Sequence, residues 1–401
     1  MKPVSLDILN ALVASSQTGF GAFIAVYLTQ QHWTQTDIGA ALSLGTAVAM
    51  ASQIPAGALV DRMRSKTLAV GVGAAAITVS ALIFAITPHR VPVLLAEILH
   101  GFASCLIGPA IAALSLQLVG QAGLGQRLGR NARWASIGSA VAALALGGIG
   151  TWLSTRAVFY ATGALMAASL VTLRGATAAT TASILAPSCR VRDVLDRPLL
   201  TFAACLVLFH LGNAAMLPLV AGEVTRGSGR WATLIIAACI VAPQAIVAGL
   251  SPWVGRRADL RGRRGLLLLG FATLPVRGLL LSFGTDPAPL ICVQALEGVS
   301  AAVLGVLVPL VAADLARDRG HYTLRIGVLG LAAGLGATVS TVLAGAIADR
   351  AGTEAALLTL AAMGALATLG LRLMPETRVT RPAVLANPDR LTGASDASPY
   401  I

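Results

Sequence analysis

Long uninterrupted apolar segments recur throughout this 401-residue chain, and they limit its fold more than any other feature. Segments such as 66–87, 231–254 and 326–348 each match the roughly 20 residues needed to cross about 30 Å of hydrocarbon. At 56% hydrophobic and 11% charged residues, the chain is too apolar for an ordinary soluble domain. Inside lipid every backbone amide must be bonded within the protein, so a spanning chain is either helical or a closed β-barrel. Continuous apolar runs, rather than alternating ones, exclude the barrel. The length accommodates about twelve spans with short connections, which predicts an all-α integral membrane protein.

Two basic stretches punctuate these segments. Gly57, Asp61, Arg62, Arg64 and Lys66 follow the second span, and Gly255, Asp259, Arg261, Gly262 and Arg263 follow the eighth, 198 positions later. A glycine four residues before an aspartate lets one helix end pack closely, while the carboxylate meets a neighbouring helix end and the bases stay in water. Gly101 and Gly298 differ by 197, and Pro109 and Pro309 by 200. Six spans therefore answer to six. The expected division is a six-helix bundle over 1–174, a linker over 175–197, a second bundle over 198–374, and a polar, disordered tail over 375–401.

A formal charge of +12 would raise nucleic-acid binding in a soluble protein. Here the placement of the charges accounts for it: roughly 23 of the Lys and Arg residues fall on the side of the amino terminus, about 5 on the other, and Arg277 inside a span. That excess predicts cytoplasmic amino and carboxyl termini and no nucleic-acid partner, and the short loops without sorting signals lead us to expect a bacterial inner membrane. The five cysteines fall singly, and neither a metal-binding cluster nor a nucleotide-binding Gly-x-x-x-x-Gly-Lys loop is present. No metal, cofactor or enzymatic centre is expected, and uphill work would draw on an ion gradient.

The two basic stretches resemble the signature Gly-x-x-x-Asp-Arg/Lys-x-Gly-Arg-Arg/Lys of the major facilitator superfamily, found between helices 2 and 3 and between helices 8 and 9. Arg64 stands where the first copy would have its second glycine, and Leu260 where a base would follow the second aspartate. The resemblance implies two pseudo-symmetric six-helix bundles around a central cavity, lined by spans 1, 4, 7 and 10. It also implies that the signature loops act as gates, with Asp61 contacting Arg62 and Arg64, and Asp259 contacting Arg261, in one alternating-access state. Span 5 partly resembles that of drug and metabolite:proton antiporters: Gly138 and Gly147 have the first spacing, but Thr151 replaces the next glycine.

Charges inside hydrocarbon are expensive, about 2.5–3.5 kcal/mol at a helix centre on the insertion scale, so they should be few and purposeful. The candidates are Asn10 and Gln17 in span 1, Glu97 and His100 in span 4, His210 and Asn213 in span 7, and Gln294 and Glu297 in span 10. Spacings of three or seven place each pair on one helical face. Glu97 and Glu297 are candidates for reversible protonation, or else neutral acids bonded to a neighbouring helix. His100 is expected to partner Glu97. His210 reads either as a proton relay or as a neutral histidine on a backbone carbonyl. Arg277 is placed to pair with Glu297 or to meet a substrate anion, and Asp7 is expected at the membrane surface.

These features predict a monomeric secondary transporter in which a small organic molecule is exchanged for protons, most simply an efflux antiporter. A proton-symport uptake permease would use the same carboxylates. A non-transporting receptor or scaffold would tolerate their loss.

Overall fold

The computed structural model describes residues 3–20, 22–33, 35–173, 194–220, 232–284, 287–317 and 320–378. Nearly all of them are helical, and no strand occurs among them. In chain order the helices are α1 (Pro3–Thr18), α2 (Ala22–Gln30), α3 (Gln35–Arg62), α4 (Lys66–Ile86), α5 (Arg90–Val119), α6 (Leu124–Trp152), α7 (Thr155–Leu173), α8 (Arg197–Asn213), α9 (Ala232–Arg261), α10 (Arg264–Ser282), α11 (Pro287–Ala316) and α12 (Tyr322–Gly370).

Nine helices among the described residues are long and apolar enough to cross a membrane. The last of these is broken at Gly352, whose φ of 88° and ψ of 164° are not helical, so α12 carries spans 11 and 12. The turn expected at Asp349 and Arg350 thus falls a few residues later, at a glycine that adopts positive φ without cost. Span 1 is divided between α1 and α2 near Gly19, where an added methyl group would sit 2.0 Å from the Thr162 hydroxyl. With α9 as span 8, the arrangement is consistent with the twelve spans predicted.

Packing follows the internal repeat. One hydrophobic core gathers Leu6, Tyr27, Ile77, Phe84, Ala103 and Phe159 from the first half. The other gathers Phe202, Phe209, Phe271, Leu307 and Leu360 from the second, and takes in Ala112, Ala113, Leu124 and Leu128 from the first. The two halves are therefore welded at the basic end that carries the amino terminus. On the other side of α4, Leu68, Val72, Val79, Leu82 and Ile86 are exposed, an apolar stripe suited to lipid, as expected for the span poorest in polar groups.

Helix starts are capped from the sequence. Ser65 accepts the amide of Leu68 at 3.2 Å and starts α4; Asp196 accepts that of Leu199 at 3.1 Å and starts α8, where Pro198 fits the first turn. Glu376, inside the stretch expected as tail, accepts the amides of Arg263 (2.9 Å) and Arg264 (3.1 Å) at the start of α10. Burial opposes its charge, yet the amides of Arg263, Arg378 and Arg264 outweigh burial and hold the carboxyl below its usual range. Of the expected linker, residues 175–193 lie outside the described residues, as do 379–401 of the tail.

Glycine sets the distance between halves. A methyl group at Gly57 would lie 2.4 Å from the Thr323 carbonyl oxygen, and one at Gly255 would lie 2.1 Å from that of Gly125. Both obstacles are backbone, so Gly255→Ala should force α9 away from α6. We expect a loss of about 1–3 kcal/mol, read as a lowered thermal midpoint of the purified protein in detergent, whereas Ala at Gly147, where an added methyl group meets nothing within 4 Å, should leave the midpoint unchanged.

Candidate functional site: a capped gate and a polar centre

At the basic end each signature aspartate reaches across to a helix of the other half. Asp61 accepts the backbone amides of Thr323 (3.2 Å) and Leu324 (2.9 Å) at the start of α12. Asp259 accepts those of Gly125 (3.1 Å) and Gln126 (2.9 Å) at the start of α6. A carboxylate on unsatisfied N–H groups at the positive end of a helix dipole is favourable on both counts. Thr323 also donates its hydroxyl to the Gly57 carbonyl at 2.7 Å. This corrects the expectation that Arg62, Arg64 and Arg261 are the partners. Helix ends offer the aspartates fixed, short-range donors, and these three arginines make no ion pair among the described residues.

The same end holds buried charge that sequence reasoning missed. Asp7 is only 3% exposed, covered by protein at this end of span 1, and it pairs with both Arg127 and Arg130. Arg127 is itself anchored by Asn131 (2.9 Å). Arg325, fully buried, donates to Asp196 (2.8 Å) and to the Val194 carbonyl (3.1 Å). Arg127 and Arg325 stand 198 residues apart, so the repeat offset of the signatures was the signal that could have found them. Arg263 pairs with Asp314 within its own half, at 2.9 Å from Nε, and serves the basic end of that bundle rather than the contact between halves.

In the membrane interior the second half builds a closed polar network. Arg277 in α10 pairs with Glu297 in α11, donates from Nη1 to Asn213 Oδ1 in α8 at 2.7 Å, and from Nε to Gln294 Oε1 at 2.9 Å. Asn213 donates back to Glu297 at 3.1 Å. Of the two alternatives for Arg277, the intramolecular one is realised. Its side chain is 3% exposed and that of Glu297 26%, so the carboxylate is the member that faces open space. His210, one turn before Asn213, lies edge-on to Phe209, and its imidazole makes no hydrogen bond among the described residues.

The first half is built differently at matching positions. The 197-residue offset that relates Gly101 to Gly298 relates Ser80 to Arg277, Glu97 to Gln294 and His100 to Glu297. Gln17 in α1 bonds His100 Nε2 at 2.9 Å and also Ser104 (3.0 Å), while Phe20 stacks on the His100 ring with centroids 3.9 Å apart. Ser104 was missed, although it lies one helical turn from His100 on the same face. Glu97 is 3% exposed, and its Oε1 has no hydrogen-bond partner. Its carboxyl rests on Gly45 of α3, where an added methyl group would fall 2.1 Å from Oε2. The expected Glu97–His100 pair is therefore not formed: Gln17 and Phe20 hold the imidazole toward α1, whereas Glu97 turns toward α3. Ser80, standing where the other half has arginine, donates to the Ala96 carbonyl at 2.8 Å and supplies no cation. Asn10 is also set apart, donating to Leu6 of its own helix at 2.7 Å.

Repeated helical halves, crossed caps at one end and a polar cluster within each half define a membrane transporter of the two-bundle kind. The chain belongs to the Major Facilitator Superfamily, whose family model matches residues 6–285 and 244–398. It is 34% identical over 388 residues to an uncharacterized MFS-type transporter of Mycobacterium tuberculosis strain H37Rv, covering 93% of each chain. A puromycin resistance protein of Streptomyces alboniger is 33% identical over 130 residues, 32% of this chain and 26% of that protein. Among solved structures, a variant of the Escherichia coli fucose:proton symporter superposes with a TM-score of 0.68 at 13% identity, covering 93% of this chain and 98% of that one. The fold is shared, and the chain is a secondary transporter by family.

Removing one partner of a buried pair strands the other. Arg277→Gln should therefore destabilise the protein by about 3 kcal/mol, the lower end of the range for buried pairs, because Glu297 is partly exposed. Adding Glu297→Gln should restore most of the loss. Thermal unfolding in detergent of the two variants checks this, and equal midpoints would refute the pairing as a source of stability.

Proposed function

We propose that this protein exports a small organic molecule in exchange for protons by alternating access, with Glu97 as the proton carrier. The observation that carries the proposal is the contrast between the two acids: Glu297 is held by Arg277 and Asn213, whereas Glu97 is buried with an unpartnered oxygen. An unpaired charge in such a place is costly, which suits a carboxyl that keeps its proton in this conformation and releases it when water reaches α5 in the opposite one. Substrate would sit between the Gln17–His100 pair and the Asn213–Glu297 pair, one from each half. Only 4% of residues are aromatic, which favours a compact metabolite over bulky flat cations. No cofactor is needed beyond the proton gradient.

The positive-inside excess supports a cytoplasmic basic end, so the crossed caps would close the cytoplasmic side in this state. Export as the direction draws support from the partial glycine pattern of α6 and from the relative named for puromycin resistance. Uptake by proton symport would use the same acid with proton and substrate moving together.

Reconstitution in liposomes with an internal pH-sensitive dye decides between them. We expect substrate-driven proton flux opposite to substrate movement, reduced at least roughly tenfold by Glu97→Gln, a loss on the scale of one general acid–base group, and retained in Glu297→Gln with weakened substrate affinity. Flux in the same direction would make the protein a symporter. Unaltered flux in Glu97→Gln would remove Glu97 from the mechanism.

A further inference from the structure

We infer that the outer face of α9 at its basic end binds an anionic phospholipid, with the phosphate on Arg256 and Arg257 and an acyl chain laid along Gly249. A cleft of about 410 Å³ is lined there by Gly249, Pro252, Trp253, Arg256, Arg257 and Leu260. These residues lie on the face of α9 turned away from the protein: Ser251, Val254, Gly255 and Ala258 are buried, whereas Trp253 and Leu260 are 47% and 66% exposed.

Three observations converge on a lipid. First, neither Arg256 nor Arg257 makes an ion pair among the described residues, in contrast to Arg127, Arg263, Arg277 and Arg325. Two adjacent unpaired guanidinium groups match a phosphodiester, which they can engage through paired N–H donors. Secondly, the Arg257 guanidinium lies over the Trp253 ring, 5.9 Å from its centroid, which orients the cation beside an aromatic of the kind that sits at headgroup level. Thirdly, the glycines of α9 have different reasons. Gly255 is required by the Gly125 carbonyl 2.1 Å from an added methyl group, while at Gly249 such a group would meet nothing within 4 Å. Helix packing does not demand a glycine at 249, and its missing side chain is space in the cleft. A small inorganic anion would satisfy the arginines but leave the apolar floor and the exposed Trp253 and Leu260 uncovered. A phospholipid covers both.

The site is tested on the full-length protein in detergent by native mass spectrometry, after addition of phosphatidylglycerol or phosphatidylcholine with the same acyl chains. Wild type should retain phosphatidylglycerol in preference, and Arg256→Gln/Arg257→Gln should lower that retention on the order of tenfold, as expected for two basic groups at an anionic headgroup. Gly249→Phe, which keeps both charges and fills the cleft, should lower it likewise. Arg62→Gln/Arg64→Gln, which removes two exposed charges at the same end, should not. Equal losses in the Arg62/Arg64 and Arg256/Arg257 variants would reduce the effect to general charge and overturn the site. So would full retention in Gly249→Phe, or complete displacement of the lipid by millimolar inorganic phosphate.

Discussion

Two aspartates that each finish a helix of one half and cap a helix of the other hold this structure together. The arrangement solves two problems at once. The start of α6 and the start of α12 each present N–H groups that no intrahelical carbonyl can satisfy, and in a protein with apolar walls those groups need a partner. The ends of α3 and α9 each need a contact with the opposite half that leaves no unpaired charge in lipid. A carboxylate on backbone amides at the aqueous rim does both, because water can replace either member. Gly57 and Gly255 are the condition for it: only without side chains can the helices approach closely enough for Asp61 and Asp259 to reach.

With the halves joined at one end, the interior chemistry is divided unevenly between them. Arg277 converts the second half's acid into part of a neutral, fully bonded group, while Ser80 leaves the first half's acid alone. Duplication supplied the same positions twice, and substitution gave them different work. The second half offers a rigid polar surface, since Glu297, Asn213, Arg277 and Gln294 fix one another's orientation. The first offers an imidazole oriented by Gln17 and Phe20, and a buried acid with one unpartnered oxygen.

Much of this was legible in the chain. Apolar length gave the spans, the 198-residue offset gave the repeat, and the cost of polarity in lipid singled out Glu97, Glu297, Arg277 and Asn213. What failed was partner assignment. Sequence proximity suggested Glu97 with His100 and Asp61 with Arg62, but neighbours one turn apart compete with groups on other helices, and here Gln17 and the α12 amides win. The position of Asp7 at the inner end of span 1 gave no sign of its partners; only the repeat equivalence of Arg127 and Arg325 points to buried ion pairs at the basic end. The glycine-to-aspartate spacing did point each carboxylate to a neighbouring helix end, but backbone N–H groups carry no residue signature, so the particular amides of Thr323, Leu324, Gly125 and Gln126 could not be read from side-chain types.

The single non-helical residue at Gly352 has a mechanical meaning. A long loop between spans 11 and 12 would let one move without the other, whereas one residue leaves no slack. Any displacement of the start of α12, which Asp61 caps, must therefore be transmitted to the last span, either as motion of a single stiff lever or as rotation about the two dihedral angles of Gly352.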